Sequence, residues 1–355
     1  MHTFHKYDLE RTYDFNYEHA PDPMDVEIPS VPGAWDFCGL PVDSPLGIPA
    51  GPLLNGRWVL YYASLGFDIL TYKTVRSGPR ACYPLPNLQP VRTGQLSGDE
   101  PEVPATSEMS GSWAVSFGMP SKSPDVWRAD VEETRQQLPS GKLLVVSVVG
   151  TVQDGWSMDE LADDYAQCAR WAVDSGADAV ETNFSCPNVS TCDGQLYQEF
   201  EAVRTVTSRV RQAIGSVPYV IKVGHVEQPV RVGGLLDAAA RSVNGGGMTN
   251  SIATRVVDDD GQLLFDGQRR GICGDATRQA SLRQTALFAE QAATRNMDLC
   301  LIGVGGAGNA EHVRDYLLAG AGAVELATAA MVDPGVGLRI RRDWPLVVAG
   351  ALEKK

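Results

Sequence analysis

The chain lacks any paired-cysteine motif, although it contains seven cysteines among its 355 residues. The seven are scattered along the chain, and none stands in a Cys-x-x-Cys pattern. This arrangement argues against a zinc site, an iron–sulfur cluster and the disulfide framework of a secreted domain. We therefore expect no metal in the functional site and a reducing, cytoplasmic location.

Long apolar runs and an excess of basic residues are absent as well. No stretch approaches the ~18 consecutive apolar residues of a membrane span, and the first residues lack a signal-peptide pattern. Lysines and arginines number 30 against 44 aspartates and glutamates, which gives a formal net charge of −14. Such a surface repels nucleic acids and anionic membranes but leaves room for a local basic pocket. We expect neither nucleic acid nor a membrane as a partner.

What the sequence does contain is a repeated alternation of strand and helix patterns from residue 45 onward. A hydrophobic fraction of 43% with 36 glycines suits a globular enzyme. Eight strands, most of them followed by a helix, predict an α/β fold of the (β/α)8 TIM barrel type. The predicted strands are 46–51, 68–73, 143–149, 179–186, 219–223, 242–251, 299–303 and 323–327. The predicted helices include 56–65, 125–138, 158–175, 195–214, 310–319 and 335–353.

Three segments lie outside this alternation. Residues 1–37 are rich in polar and aromatic residues, and we expect an N-terminal extension whose aromatic side chains dock on a barrel of residues 38–355. Residues 74–142, between the second and third strands, and 252–277, between the sixth and seventh, are too long for simple crossovers. Loops of this length in a compact fold usually form lids or walls of a functional site.

Polar residues cluster where the predicted strands end, at the face that carries the active site of such a barrel. Asn183, Cys186 and Asn188 surround Pro187, which ends strand pairing because it lacks an N–H donor. A single cysteine is more often structural than catalytic, but a thiol between amides suits acid–base work on a substrate rich in carbonyl and N–H groups. The other residues at strand ends are Ala50, Gly51, Lys73, Ser147, Lys222, Asn250, Ser251, Gly305, Gly306, Thr328 and Ala329.

The sequence Gly303-Val-Gly-Gly-Ala-Gly308 matches Gly-x-Gly-x-x-Gly between a predicted strand and a predicted helix. No acidic residue at the end of a following strand completes a dinucleotide-binding unit. The simpler interpretation is that backbone N–H groups and a helix N-terminus grip one phosphate, as barrels commonly do after strands seven and eight. One phosphate beside two lysines and several amides indicates a phosphorylated cofactor such as FMN.

The segment Asn183-Phe-Ser-Cys-Pro-Asn188 resembles the Asn-Leu-Ser-Cys-Pro-Asn signature of class 1 dihydroorotate dehydrogenases. It is also similar to the flavin barrel of dihydropyrimidine dehydrogenase. The resemblance covers roughly residues 38–335. Its other motifs are Ala50-Gly51, Thr71-Tyr-Lys-Thr74, Val146-Ser-Val-Val-Gly150, Ile221-Lys-Val223, Thr249-Asn-Ser251, Gly271-Ile-Cys-Gly274, Gly303-Val-Gly-Gly306 and Ala327-Thr-Ala329.

The resemblance implies an FMN-dependent barrel that moves a hydride between a C–C bond of the substrate ring and N5 of the flavin. Cys186 then exchanges the proton on the neighbouring carbon, Lys73 lies beside flavin and substrate, and Lys222 lies at the N1/O2 edge of the flavin. Further implied cofactor contacts are Ala50, Gly51, Thr74, Ser147, Asn183, Thr249, Gly274, Gly305, Gly306, Thr328 and Ala329. Implied substrate contacts are Lys73, Asn183, Asn188, Asn250, Ser251 and the residue at position 115. Similar enzymes often form homodimers, and we expect one here.

One position departs from the family pattern. The family's Asn-Ser-Met-Gly-Leu-Pro loop aligns with Val115-Ser-Phe-Gly-Met-Pro120, so valine replaces an asparagine that contacts the substrate. A lost partner in a polar pocket costs about 1–3 kcal/mol for the group left unpaired. Trp113, Phe117 and Trp127 are candidates for a less polar pocket, although we expect core aromatics at these positions.

Several functions remain open from the sequence. Dihydroorotate is the default substrate, and Val115 leaves room for the same flavin chemistry on another cyclic compound or activated C=C bond. A phosphate-binding aldolase or isomerase barrel would use Lys73 or Lys222 without a flavin, and it would leave Cys186 and its amides without a role. The electron acceptor is open among fumarate, a nicotinamide used through a partner subunit, and oxygen.

Overall fold

A closed barrel of eight parallel strands forms the body of the protein. The computed structural model describes residues 3–185 and 192–351. Each strand pairs with the next one along the chain, and the eighth strand pairs with the first, which closes the barrel. The strands are β1 (Leu46–Ile48), β2 (Ile69–Val75), β3 (Leu143–Val148), β4 (Ala179–Asn183), β5 (Tyr219–Lys222), β6 (Gly245–Met248), β7 (Cys300–Val304) and β8 (Ala323–Glu325). The predicted (β/α)8 fold is confirmed.

The strands are short and buried on both faces, as expected for a parallel sheet covered by helices. Side-chain caps fix where several outer helices begin: Asn55 and Asn309 each accept a hydrogen bond from the backbone, and Ser157 forms a capping box with Glu160. The longer helices are Gly56–Ser64, Pro124–Gln137, Met158–Asp174, Phe200–Ile214, Pro229–Ala239, Arg278–Thr294, Ala310–Leu318, Val336–Arg342 and Trp344–Ala351. None of the helices in the described part of the chain is long and apolar enough to cross a membrane.

Two predicted helices are wrong in extent. Instead of a helix over 195–214, 3-10 turns occupy Cys192–Gln198 and the α-helix begins only at Phe200. The backbone of Gln195 is not helical (φ −139°, ψ 38°), and the next two side chains turn inward and are buried. Instead of one helix over 335–353, the chain breaks at Asp343, because Pro345 lacks an N–H and its ring displaces the carbonyl four residues earlier.

The two long excursions join in a single five-stranded sheet. Its strand order is Leu88–Pro90, Ser112–Val115, Arg270–Gly274, Ile252–Val257 and Glu102–Pro104. Three strands come from the first excursion and two from the second, and antiparallel pairing places Val115 opposite Gly271. The sequence predicted lids or site walls but not their pairing, which joins segments far apart in the chain.

The N-terminal segment packs along the barrel. Its helix Tyr13–Glu18 and the preceding loop bury Tyr7 and Tyr13, so the prediction that aromatic side chains dock on the body is confirmed for these two. A hairpin of strands Trp35–Phe37 and Leu40–Val42 follows, and its tight turn places Cys38 and Gly39 at positive φ. This hairpin crosses the predicted boundary at residue 37. The division into an extension of 1–37 and a barrel of 38–355 stays a prediction.

Candidate functional site

A cavity opens among the carboxyl ends of the barrel strands and the excursion sheet. Lysine and asparagine side chains from four strand ends line it: Lys73, Asn183, Lys222 and Asn250. Much of its remaining lining is apolar, and Ala50 and Gly51 border it after β1. The apolar lining includes Leu88, Trp113, Val115, Phe117, Met119, Cys273, Val304 and Met331. The cavity therefore suits a flat ring system with hydrogen-bonding groups on part of its edge.

Lys73 is buried near the end of β2. Its backbone N–H donates to the carbonyl of Leu53 (2.9 Å), and its Nζ lies 5.8 Å from the centroid of the Phe117 ring, within the range of a cation–π contact. The adjacent Thr74 also lines the cavity, and its Oγ1 lies 3.0 Å from Oγ of Ser147. Ser147 is fully buried on β3 and is not part of the cavity lining, so it supports Thr74 from behind.

A buried ion pair fixes Lys222 at the end of β5. Its Nζ donates to Oε1 of Glu181 (2.7 Å), and both side chains are almost completely buried. A second carboxyl group, Glu325 on β8, lies near this pair and accepts a hydrogen bond from Thr71 (3.0 Å). Burial raises the pKa of Glu325 to about 8, and the charge of Glu181 acts in the same direction. Near neutral pH Glu325 therefore keeps its proton beside the Lys222–Glu181 ion pair.

Asn183 and Asn250 are positioned through the chain that follows β4. Oδ1 of Asn183 accepts from the backbone N–H of Ser185 (3.1 Å), and Nδ2 of Asn250 donates to the carbonyl of Ser185. Ser251 borders a neighbouring, more open cavity that shares Asn250 with the first. Thr249 is buried and donates to Oε1 of Gln284 (2.7 Å), so its hydroxyl is committed to a structural bond.

A second cavity continues from the first at the ends of β7 and β8. Thr328 lines both, and its buried Oγ1 has no hydrogen-bond partner in the part of the chain that the structure describes. Gly306 has a positive φ of 69°, and a Cβ there would lie 2.6 Å from the carbonyl oxygen of Gly274, so only glycine fits. Gly305 lies beside it, and its carbonyl accepts from the hydroxyl of Tyr316 (2.5 Å). Gly274, Gly306, Thr328 and Ala329 all border this second cavity.

The structure thus brings together most of the residues predicted from the sequence. Cys186 and Asn188 lie outside the described residues. The expectation of core aromatics is confirmed for Trp113, Phe117 and Trp127, all of which are buried in the hydrophobic core. Trp113 and Phe117 also line the cavity, because the excursion sheet and the loop after Ser112–Val115 fold against the barrel mouth. Sequence reasoning missed Glu181 and Glu325, for which the signal was a charged residue within an otherwise apolar strand.

The described residues fit FMN. The ring-sized cavity with lysine and amide groups adjoins a glycine-lined cavity, and Thr328 at their junction carries an unpartnered hydroxyl, as a site for a ring joined to a phosphate requires. Ala50, Gly51, Lys73, Thr74, Asn183 and Lys222 line the ring end. Within residues 3–185 and 192–351, no group of three or more histidine, cysteine or acidic side chains is arranged to hold a metal ion.

Comparison with known proteins agrees with this geometry. The family model described as dihydroorotate dehydrogenase matches residues 34–345. A dihydroorotate dehydrogenase of Dictyostelium discoideum is 32% identical over 94% of this chain and 95% of the relative. The catalytic subunit of a dihydroorotate dehydrogenase B (NAD(+)) from Desulforudis audaxviator is 26% identical over 86% of this chain and 89% of the relative.

A crystal structure of DHODH from Eimeria tenella in complex with ferulenol covers 93% of this chain and 88% of its own. Its TM-score is 0.74 at 17% identity, which supports the barrel fold. The match of the family model over most of the chain, together with the Dictyostelium relative, shows that this chain belongs to the dihydroorotate dehydrogenase family.

Proposed function

We propose that the protein is an FMN-dependent oxidoreductase that interconverts dihydroorotate and orotate at a CH–CH bond. Membership of the family supports the reaction class and the cofactor. The observation that carries the proposal for this chain is the meeting of Lys73, Asn183, Lys222 and Asn250 in one cavity whose far end is lined by glycines and Thr328. Ammonium and amide groups complement the carboxylate, carbonyl and N–H groups of a pyrimidine ring.

FMN, when bound, supplies the site that accepts the hydride. In this proposal Lys222 places a positive charge against the pyrimidine edge of the flavin, and Glu181 keeps that ammonium group fixed within the barrel. Lys73, Asn183, Asn188, Asn250 and Ser251 orient the substrate by hydrogen bonds. Cys186 takes the proton from the substrate carbon, as the family signature implies. Thr328, Ala329 and the glycines at 274, 305 and 306 hold the phosphate.

Val115 decides how well dihydroorotate itself fits. Its side chain lines the cavity, and strand pairing with Gly271 and Leu88 fixes its position. A valine offers no hydrogen bond, so a polar substrate group facing it loses a partner. In Val115→Asn we expect kcat/KM for dihydroorotate to rise about tenfold, because one restored hydrogen bond in a buried pocket contributes about 1–2 kcal/mol. Val115→Leu is the control that keeps the wall apolar.

Anaerobic mixing of the purified protein with dihydroorotate tests the proposal directly. We expect a yellow protein whose flavin absorbance bleaches within one turnover. A yellow protein that dihydroorotate does not bleach, in wild type and in Val115→Asn alike, contradicts the proposed substrate and directs the search to other cyclic compounds with an activated C=C bond. A colourless protein that FMN does not reconstitute contradicts the cofactor assignment.

The proposal extends to a homodimer in the cytoplasm. The homodimer is what the resemblance to the family implies, and the scattered cysteines of the sequence favour a reducing compartment. Light scattering of the purified protein tests the dimer, and a mass of one chain of 38.2 kDa contradicts it. Reoxidation of the reduced protein by fumarate, by oxygen or through added partner subunits identifies the acceptor.

A further inference from the structure

The loop of residues 116–122, which we call the wall loop, is shaped by two residues at positive φ. Gly118 has φ 73° and Met119 has φ 52°. A Cβ at position 118 would lie 2.6 Å from the ring of Tyr83, so the loop packs tightly against an earlier part of the same excursion. Through this turn Phe117, Gly118 and Met119 all line the substrate cavity.

The backbone of the wall loop forms hydrogen bonds with residues 80–87 of the same excursion. The N–H of Ser116 donates to the carbonyl of Asn87 (2.8 Å), and the carbonyl of Phe117 accepts from Tyr83 (3.0 Å). Arg80 and Ser121 exchange two backbone hydrogen bonds of 2.9 and 3.0 Å. None of these bonds fixes the side chain of Phe117, whose ring reaches over the ammonium group of Lys73.

The N-terminal segment contacts the Phe117 ring directly. The ring of Tyr7 meets the Phe117 ring edge to face, with 5.9 Å between centroids and an angle of 88°. Tyr13 meets it from a second direction, at 6.3 Å and 71°. Both tyrosines are buried, and burial raises the pKa of each well above the ordinary tyrosine value, so both hydroxyl groups stay neutral.

The same segment is anchored firmly enough to act as a support. Asn55 Nδ2 donates to the carbonyl of Tyr17 (2.7 Å), and Trp58 Nε1 donates to the carbonyl of Asn16 (3.0 Å). Lys122, at the end of the wall loop, pairs with Asp14 (2.7 Å between Nζ and Oδ1). The N-terminal segment therefore contacts the wall loop near its start, at Phe117, and at its end, at Lys122. It also contacts the helix Gly56–Ser64 through Trp58.

We propose that Tyr7 and Tyr13 are positioning residues for the substrate, because they hold the Phe117 ring against Lys73 and so fix the ammonium group that the substrate meets. The substrate part of this inference rests on the proposed function. Its consequence is that residues outside the barrel set the affinity of the site. Loss of the two rings leaves Phe117 free to change rotamer, and its cation–π contact with Lys73 is then lost.

The test compares the FMN-loaded full chain with three variants. Tyr7→Leu/Tyr13→Leu removes both rings, Tyr7→Phe/Tyr13→Phe keeps them, and Phe15→Leu removes an aromatic side chain of the same helix that stacks on His19 instead. We expect the leucine pair to raise KM for dihydroorotate about tenfold with kcat within threefold and FMN content unchanged. The phenylalanine pair and Phe15→Leu are expected to match wild type. An unchanged KM in a folded leucine pair overturns the inference.

A second readout does not depend on the substrate. Acetylation of Lys73 by an N-hydroxysuccinimide ester, measured by peptide mass spectrometry against the exposed Lys6, is expected to be several times faster in the leucine pair. If wild type fails to use dihydroorotate, the proposed function fails, and equal Lys73 labelling in wild type and leucine pair then also refutes the positioning role. If the leucine pair does not fold, the single variants Phe117→Leu and Tyr13→Leu are tested instead. The same rise in KM and the same faster acetylation of Lys73 are expected for each.

Discussion

Lys222 and Glu181 form a buried ion pair inside the barrel, with 2.7 Å between Nζ and Oε1 and almost no solvent exposure of either side chain. The lysine lies at the end of β5, where it lines the cavity, and the glutamate comes from the neighbouring β4. Lys222 alone resembles a solvated strand end, and Glu181 alone is an isolated charge in the middle of a buried strand. Together they place one fixed positive group at the floor of a pocket.

Replacement of Lys222 by methionine is expected to reduce both stability and FMN content. Glu181 would be left buried without its partner, which typically costs about 3–5 kcal/mol. The double variant Lys222→Met/Glu181→Gln removes that unpaired charge and is expected to recover much of the melting temperature while still binding FMN weakly. The measurements are Tm and the ratio of FMN to protein. A single variant that keeps a full complement of tightly bound FMN would remove Lys222 from the cofactor site.

Glu325 is expected to make the protein less stable as pH rises. Its pKa increases from the ordinary 4.5 to about 8 in the folded chain because it is buried. Between these values the unfolded chain releases a proton that the folded chain retains, so the free energy of unfolding falls through this window and levels off above pH 8. Glu325→Gln keeps the size of the side chain and removes the titration.

Thermal unfolding at several pH values checks this. We expect Glu325→Gln to raise Tm by a few degrees at pH 8.5 and to change it little at pH 5. Glu311→Gln, at an exposed position in the first turn of the helix Ala310–Leu318, is the control. Equal shifts at both pH values would show that Glu325 is not the titrating group.

Thr328→Val is expected to weaken FMN binding about tenfold or more. The variant keeps the shape of the side chain but removes a buried hydroxyl that has no hydrogen-bond partner among the described residues. A hydrogen bond to a charged group contributes about 1.5–3 kcal/mol. Thr207→Val is the matched control, since its hydroxyl is also buried but donates to the carbonyl of Arg204 on an outer helix. Titration of apoprotein with FMN gives both dissociation constants, and equal values would exclude the phosphate role of Thr328.

Cys186→Ser is expected to retain the yellow cofactor and to slow flavin reduction by dihydroorotate about a hundredfold or more, because a thiol ionises near neutral pH to a thiolate that can take the proton and a serine hydroxyl does not. Cys192→Ser, a neighbouring thiol outside the family signature, is expected to react at the wild-type rate. Stopped-flow absorbance under anaerobic conditions measures both. Equal rates for the two variants would take Cys186 out of the mechanism.

The barrel and most of its site were predictable from the sequence because parallel strands carry local signals. An apolar run that ends in a polar or glycine residue marks both the strand and its functional end, as for Lys73 and Lys222. The errors lie where a boundary depends on tertiary contacts. The helix from Phe200 begins late because Leu196 and Tyr197, in the 3-10 segment before it, turn inward and are buried. The break in the last helix is different, since Pro345 is a local signal for it in the sequence.

The apolar wall of the cavity was harder to predict. Trp113 and Phe117 resemble ordinary core residues in the sequence, and only the register of distant strands brings them to the cavity. Likewise, the role of Glu181 follows from its ion pair with Lys222, which lies 41 residues further along the chain. Such pairings are non-local, so no pattern within one segment reveals them.

The five-stranded sheet joins strands from two excursions that are separated by most of the barrel. If one excursion were grafted onto another barrel, its strands would present unpaired N–H and C=O groups and invite aggregation. The strand Arg270–Gly274 lies between Ser112–Val115 and Ile252–Val257, so each excursion completes the hydrogen bonding of the other. A change in the backbone of one excursion therefore disturbs the pairing of the other, whereas single side chains on the substrate side can change while the sheet stays intact.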